Sequence, residues 1–239
     1  MIEFLEWVLL TLGVVTATLV LAERYGSEIA IALFASLTVL ANIIAFKIIY
    51  AGSIAGFLLI GPAGVIVYAS TFLITDLLSE LYGKEYAKRA VVAGLLANIV
   101  AVISIYIAIT WTPAPFMSPE SLNAFNKVLG FAPRLVVASI IAYAISQTHD
   151  VYAFHLWKKL AKGRYLWLRN NASTMASQAI DTVIFISIAF YGVVDTSTLL
   201  SMIAGQYILK IVIAALDTPF IYVATYTWKI LTSERLPEH

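Results

Sequence analysis

The chain contains no cysteine among its 239 residues, which excludes disulfides, iron–sulfur clusters and thiolate metal sites. Charged residues are also scarce, at 12% of the sequence against about 25% in an ordinary soluble domain. No segment has the glycine and lysine pattern of a nucleotide-binding phosphate loop, so the chain cannot drive a process with ATP by itself. With an apolar content of 61%, this composition excludes a soluble enzyme, a nucleic-acid-binding protein and a disordered chain.

Long apolar runs are what the sequence has in place of polar surface. Each approaches the roughly 20 residues that a helix needs to cross a bilayer. The seven runs are about Trp7–Ala22, Ile29–Tyr50, Phe57–Tyr82, Ala90–Trp111, Leu135–Trp157, Ala172–Tyr191 and Leu199–Ile230. The sequence therefore predicts an all-α, polytopic membrane bundle of about seven helices, forming a single domain over residues 1–239. The acidic start, with Glu3 and Glu6, lacks the basic region of a secretory signal, so the first run is expected to stay in the membrane.

The basic residues predict the orientation of the chain. Placing the first connection inside puts 11 of the 15 lysines and arginines on the inner side, with Lys127 on the outer side. Cytoplasmic loops carry this excess of positive charge. We therefore expect a multi-pass protein of the cell membrane, with the N-terminus outside and the C-terminus in the cytoplasm. The outer connection 112–133 has four prolines and is expected to form a short surface helix or a lid.

Polar residues inside the apolar runs are the strongest functional signal. A charged group at the centre of a bilayer costs several kcal/mol, so each one needs a reason. These residues recur at helical spacing and form one stripe on each of four runs. The stripes are Phe72, Asp76 and Glu80; Tyr143, Gln147 and Asp150; Ser173, Ser177, Gln178, Asp181 and Phe185; and Gln206, Lys210 and Asp217. Four such stripes are expected to face one another around a polar cavity that spans the membrane midplane.

Several of these residues leave a structural role open. The alternatives are an ion pair with Lys84 for Glu80, extension to the outer surface for Lys47, anchoring of a helix start for Arg134 and support of a proline kink for Asp217. Asp181 and Gln178 lie in mid-span and are the hardest to explain by structure alone. The histidines have no metal-ligand partners at suitable spacing, so neither a metal nor a cofactor is expected.

The chemistry of these side chains suits a flat heterocycle that forms hydrogen bonds. A carboxylate accepts two hydrogen bonds from the N–H edge of a guanine-type ring, and a glutamine pairs with a lactam edge. Phe72, Tyr143 and Phe185 are candidates for stacking on the ring face. Sugars, amino acids and ions remain open on these grounds.

Three segments resemble one known family. Residues 71–83, TFLITDLLSELYG, are similar to the TFLxTDxxxExYG signature of the queuosine precursor transporters, also called vitamin uptake transporters. Arg134 to Asp150 resembles the family segment RxxxASxxAYxxxQxxD, and residues 172–185 resemble ASTxxxQxxDxxxF. Lys210 and Pro219 resemble the last helix of the family. The resemblance runs from about residue 30 to residue 225.

This resemblance implies the uptake of 7-cyano-7-deazaguanine and 7-aminomethyl-7-deazaguanine, which are precursors of queuosine, or of archaeosine, in tRNA. It also implies a six-helix core over residues 28–230 that resembles the substrate-binding subunit of energy-coupling-factor transporters, with residues 1–27 as an additional helix. Asn42 becomes a site candidate through this resemblance. The predicted substrate-binding residues are therefore Asn42, Phe72, Asp76, Glu80, Arg134, Tyr143, Gln147, Asp150, Ser177, Gln178, Asp181, Phe185 and Lys210.

Two other classes of protein compete with this interpretation. A substrate-binding subunit of an energy-coupling-factor vitamin transporter would act with a partner membrane protein and two ATPases. An intramembrane enzyme using Asp76 and Asp150 would need a metal or a nucleophile, and the sequence offers neither, so no catalytic activity is expected. The partners expected are a small purine-like substrate and the lipid bilayer, without nucleic acid. The oligomeric state, an energy-coupling module and the energy source, whether a proton or facilitated diffusion, stay open.

Overall fold

The computed structural model describes residues 2–45, 47–54, 57–130, 133–162, 164–192 and 194–233. Helices account for nearly all of the regular structure, and one short hairpin interrupts them. In chain order the elements are α1 (Ile2–Tyr25), α2 (Glu28–Ile44), β1 (Ile48–Ile54), β2 (Phe57–Pro62), α3 (Gly64–Leu81), α4 (Lys84–Thr110), α5 (Pro119–Leu129), α6 (Pro133–Leu160), α7 (Leu166–Phe190) and α8 (Thr196–Ser233).

The long helices match the predicted membrane bundle. In the described part of the chain, α1, α3, α4, α7 and α8 are long and apolar enough to cross a membrane. Helix α2 is apolar but has 17 residues, about 25 Å at the helical rise. Helix α6 has 28 residues and carries more polar side chains along its length. Each predicted run thus contains one long helix, and the chain is a polytopic helical membrane protein.

The prediction was wrong between residues 45 and 62, where the runs Ile29–Tyr50 and Phe57–Tyr82 were expected to be helical. The strands β1 and β2 pair antiparallel here, with Ile48 opposite Pro62 and an irregular register between Tyr50 and Gly52. Gly52 has a φ of +126°, which an L side chain rarely adopts, and Pro62 cannot continue a helix. Hydropathy does not distinguish a short buried strand from a helix end, which explains the error.

Helix α3 lies at the centre of the bundle. All of its side chains from residue 64 to residue 79, except Tyr68, are buried. It contacts α1, α2, α4, α6, α7 and α8. By contrast, α4 exposes Leu96, Val100 and Ile103, the apolar surface expected of a helix against lipid. The polar stripe on α3 is therefore enclosed by protein on all sides.

Close approach of helices fixes this arrangement. Gly64 at the start of α3 packs against the backbone of Ala41 in α2, where a β-carbon would clash with the Ala41 carbonyl. Gly94 in α4 leaves room for Phe34 and for the Tyr143 hydroxyl group. Small residues commonly allow such contacts between membrane helices. The division of the chain into an additional helix and a six-helix core stays a prediction.

The connection between α4 and α6 contains the surface helix that the sequence predicted. Helix α5 buries none of its side chains. The Ser118 hydroxyl caps it by accepting a hydrogen bond of 3.2 Å from the Ser121 N–H. Pro119 occupies the first turn, where its missing N–H costs nothing.

Candidate functional site

A cavity of about 640 Å³ lies in the half of the bundle nearest to α5 and to the α7–α8 connection. It is bounded by α2, β2, α3, α4, α6, α7 and α8, with the last turn of α5 at its edge. Most of its wall is apolar. The polar side chains on its surface are Asn42, Tyr68, Asn98, Ser139, Asp181, Thr198, Ser201, Gln206 and Lys210. The volume is in the range of about 300–1,000 Å³ that small-molecule sites occupy.

A buried ion pair forms the polar centre of this cavity. The Lys210 ammonium of α8 binds Oδ2 of Asp181 on α7, and both residues are almost fully buried. Oδ1 of Asp181 accepts hydrogen bonds of 2.7 Å from the Tyr68 hydroxyl and 3.0 Å from the Ser146 hydroxyl. Four helices therefore converge on one carboxylate. Its charge is neutralised and hydrogen-bonded, as a charge taken out of water requires.

The pair still has hydrogen-bonding capacity. A carboxylate offers about four acceptor sites and an ammonium group three donors. The described side chains use three of the acceptor sites on Asp181 and one of the donors on Lys210. The cavity surface thus presents a hydrogen-bond acceptor and a donor side by side.

A second polar group joins α2, α4 and α6 on the cavity wall. The Asn42 amide donates a hydrogen bond of 2.5 Å to Oδ1 of Asn98, and Ser139 donates one of 2.6 Å to Oδ1 of Asn42. The Asn98 amide in turn donates to the Gly94 carbonyl at 2.8 Å. This chain of hydrogen bonds holds Asn42 in a fixed orientation.

The three predicted stacking residues are not equivalent. Phe185 lines the cavity. Tyr143 is buried and does not line the cavity, and its hydroxyl group donates a hydrogen bond of 2.6 Å to the Val91 carbonyl. Phe72 is fully buried and packs edge-on against Tyr68, with ring centroids 5.8 Å apart. Only the first of these rings borders the cavity.

Between the cavity and the Leu81 end of α3, the polar stripes of α3, α6 and α7 pack directly against one another. Gln147 donates to the Thr71 hydroxyl at 2.9 Å, and Thr75 donates to Oδ2 of Asp150 at 3.3 Å. At the next residue of α3, Oδ2 of Asp76 accepts a hydrogen bond of 3.1 Å from Thr174. These contacts join α3 to α6 and α7 in a buried layer.

The same layer extends to α8 and to the far end of α3. Asn170 donates to Oδ1 of Asp217 at 2.9 Å. Glu80 forms an ion pair with Lys158 on α6 at 2.9 Å, whereas the sequence suggested Lys84 as its partner. The polar path thus runs from the cavity through the bundle to a half-exposed ion pair at its other end.

The predicted site residues therefore fall into separate places. Asn42, Asp181, Phe185 and Lys210 line the cavity. The residues in the packed layer beneath it, or behind its wall, are Phe72, Asp76, Tyr143, Gln147, Asp150, Ser177 and Gln178. Glu80 lies at the far end, and the side chain of Arg134 lies outside the described residues. Lys47 is exposed in the connection before β1.

Sequence reasoning missed Tyr68, Ser146 and Asn98. Tyr68 lies four residues before Phe72, so extending the α3 stripe by one turn would have found it. Asn98 interrupts a long apolar run on α4, which is the usual signal of a polar residue with a partner. Ser146 had no such signal, because serines are common on membrane helices.

The start of α8 beside the cavity is fixed by Asp195. Its carboxylate accepts hydrogen bonds from the side chains of Ser197 and Thr198 and from their N–H groups, at 2.5–3.0 Å. These bonds hold the pKa of Asp195 well below its usual range. The residue acts as the N-cap of a helix that carries Lys210.

The fold defines a polytopic helical membrane protein with a cavity of small-molecule size in one half of its bundle. A family model described as "Putative vitamin uptake transporter" matches residues 62–224, about two thirds of the chain. The chain belongs to this family. The match includes Tyr68, Asp181 and Lys210, and the family description implies that a bound molecule is moved rather than chemically converted.

Curated relatives carry a narrower description. The chain is 35% identical over 111 residues to the "Probable queuosine precursor transporter" of Bacillus subtilis (strain 168), covering 46% of this chain and 48% of the relative. A protein of Haemophilus influenzae with the same description is 31% identical over 94 residues, 39% of this chain and 37% of the relative. The "Queuosine precursor transporter" of Escherichia coli (strain K12) is 39% identical over 61 residues, 26% of each chain. The matched region spans about half, or less, of these relatives. No solved structure matches the chain.

Proposed function

We propose that this protein imports 7-deazaguanine bases, 7-cyano-7-deazaguanine and 7-aminomethyl-7-deazaguanine, across the cell membrane for the modification of tRNA. The observation that carries the proposal is the Asp181–Lys210 pair on the surface of a cavity of about 640 Å³. The relatives described as queuosine precursor transporters support this substrate class.

The pair suits the lactam edge of a guanine-type ring. That edge has an N–H donor beside a carbonyl acceptor, which complements the free acceptor site of Asp181 and the free donors of Lys210. Because the ion pair is neutral overall, it suits the uncharged ring that both bases share. Phe185 is placed on the cavity surface where it can stack on the ring face.

Two further amide side chains are available to bind the other polar atoms of the ring. Asn42 is held by Asn98 and Ser139 on the opposite wall, so its amide is oriented before the substrate arrives. Gln206 adds an amide from α8 beside Lys210. Preorganised polar groups in a mostly apolar pocket give specificity at little entropic cost.

The orientation predicted from the basic residues places this cavity on the outer side. The connection that contains α5 is then extracellular, and Val128 and Leu129 at the end of α5 border the cavity. The Glu80–Lys158 pair would lie at the cytoplasmic end. In this orientation the structure is the outward-facing state of an importer. Gln147 and Gln178, one layer below, are the next hydrogen-bonding groups on the inward path.

Rescue of tRNA modification tests this function. The chain is expressed in a bacterial strain that neither makes nor imports 7-deazaguanines, with nanomolar 7-cyano-7-deazaguanine in the medium, and queuosine is detected by boronate gel shift. We expect a shifted tRNA band with the wild type and none with Asp181→Asn. Asp195→Asn, an exposed acid with the same chemical change, should keep the band. No shift from wild-type protein that is present in the membrane would refute the proposal.

A further inference from the structure

Two acids in the packed layer lie against each other. Asp76 on α3 and Asp150 on α6 are buried, and Asp150 accepts its hydrogen bond from Thr75, the residue next to Asp76, so the two carboxyl groups lie close together. Each has one oxygen, Oδ2, that accepts a hydrogen bond from a threonine, Thr174 for Asp76 and Thr75 for Asp150. Two adjacent carboxylates in an apolar bundle repel each other and cannot both stay charged without a cation between them.

The other oxygens of the pair have no donor. Oδ1 of Asp76 and Oδ1 of Asp150 are buried without a hydrogen-bond partner among the described residues. Gln147, which shares the α3–α6 interface with Asp150, also has an unpaired amide oxygen. Buried acceptors without donors are unfavourable, so this cluster is suited to receive positive charge.

The described cations on either side of the Asp76–Asp150 pair already form ion pairs. Lys210 pairs with Asp181 on the cavity side, and Lys158 pairs with Glu80 on the other side. Within the ranges that the structure describes, no three histidine, aspartate or glutamate side chains converge as a metal site would require. The positive charge that the geometry calls for is therefore a proton, which needs two facing carboxyl groups and no larger cage.

The titratable groups around the pair come from every packed helix. On α8, Asp217 interacts electrostatically with Asp76 and Asp150, and its Oδ1 accepts a hydrogen bond from Asn170 of α7. On α6, His149 is next in sequence to Asp150 and hydrogen-bonds to Ser177 of α7 at 2.8 Å. The other described acidic, basic and histidine side chains on these helices are those of the two ion pairs named above, the half-buried His155 of α6, and Lys159 and Lys229, which are exposed near the helix ends.

We propose that Asp76 and Asp150 form a proton site that is coupled to substrate movement, one proton for each imported base. The proposal rests on the import function argued above. The site and the cavity do not overlap: Asp76 is eight residues from Tyr68, about 12 Å along α3. They share helices α3, α6 and α7, so a change in the packing of one site reaches the other.

Proton binding is measured first, without substrate. The melting temperature of the purified protein in detergent is followed between about pH 5 and pH 8 for the wild type, Asp76→Asn, Asp150→Asn and the control Glu120→Gln, an exposed acid on α5. We expect the wild type and the control to gain stability at low pH and each pair variant to lose most of that gain. Equal pH dependence in all four proteins would overturn the proton site.

Coupling is measured next in proteoliposomes with the membrane potential held at zero. A gradient of about one pH unit, alkaline inside, should let the wild type concentrate labelled 7-cyano-7-deazaguanine about tenfold, the limit for one proton per base. Asp150→Asn should keep the exchange of labelled for unlabelled base and lose accumulation. Asp150→Glu, which keeps the carboxyl group, should recover part of it.

The outcomes separate this proposal from the proposed function. Absence of exchange in the wild type, with the pH-dependent stability intact, would refute import of this base and leave the proton site standing. Exchange without accumulation under a pH gradient would refute coupling. Accumulation driven by a sodium gradient instead of a pH gradient would also overturn the proposal.

Discussion

Asp181 and Lys210 form a buried ion pair between α7 and α8, and Tyr68 of α3 and Ser146 of α6 complete the hydrogen bonding of the carboxylate. Four helices thus depend on one charged group at the surface of the cavity. The pair therefore stabilises the contact between these helices and is also the most polar part of the candidate binding site.

Removing one member of the pair should destabilise the fold. Lys210→Met leaves a buried carboxylate without its cation, which costs about 3–5 kcal/mol. The double variant Asp181→Asn with Lys210→Met removes both charges and should recover most of the loss. Thermal unfolding in detergent measures both. A double variant as unstable as the single one would contradict the view that the uncompensated charge is the cause.

The interface between α4 and α6 should not tolerate a methyl group at Gly94. A β-carbon there would clash with the Tyr143 hydroxyl and lie 2.8 Å from the Phe34 ring, so Gly94→Ala should cost about 1–3 kcal/mol. Gly13 on α1 has open space around it, and Gly13→Ala should be neutral or slightly stabilising. Melting temperatures of the two variants test this, and equal effects would contradict the packing.

The amide chain on the cavity wall should matter for substrate affinity. Asn42→Ala removes a donor to Asn98 and an acceptor for Ser139, so the affinity for 7-cyano-7-deazaguanine should fall about tenfold, the equivalent of one lost hydrogen bond. Asn123→Ala, on the exposed face of α5, is the matched control. Binding by isothermal calorimetry measures both. Unchanged affinity in Asn42→Ala would show that this wall of the cavity does not contact the substrate.

The cap at Asp195 should contribute stability in a pH-dependent way. The pKa of its carboxyl group is lowered in the folded protein, so its contribution is present above the unfolded pKa of about 3.9 and is lost as the pH falls through the folded value. Asp195→Ala should therefore lower the melting temperature at pH 7, and the difference should shrink as the pH falls below about 4. A constant difference across this range would contradict the ionised cap.

The helical bundle could be predicted from the sequence because the apolar runs are long and most basic residues lie in the connections between them. It also predicted that Asp76, Asp150 and Asp181 face the interior, since helical spacing puts them on buried stripes. It could not predict that only part of the polar stripes borders the cavity. Which stripe residues meet each other directly depends on how deep each helix sits, and a single sequence does not carry that information.

The hairpin and the partner of Glu80 show the same limit. Residues 48–62 are as apolar as a helix, and pairing between β1 and β2 decided their conformation. Glu80 has Lys84 one turn away, yet the packing of α6 on α3 brings Lys158 to it. Tertiary contact overrode the local pattern in both places.

Direct binding of 7-cyano-7-deazaguanine to the purified protein tests the central claim most closely. Isothermal calorimetry in detergent should show saturable binding at one site, with the affinity reduced at least tenfold in Asp181→Asn and unchanged in Asp195→Asn. Binding that Asp181→Asn retains in full would place the substrate outside the cavity, and no binding by folded wild-type protein would contradict the assignment of a deazaguanine substrate.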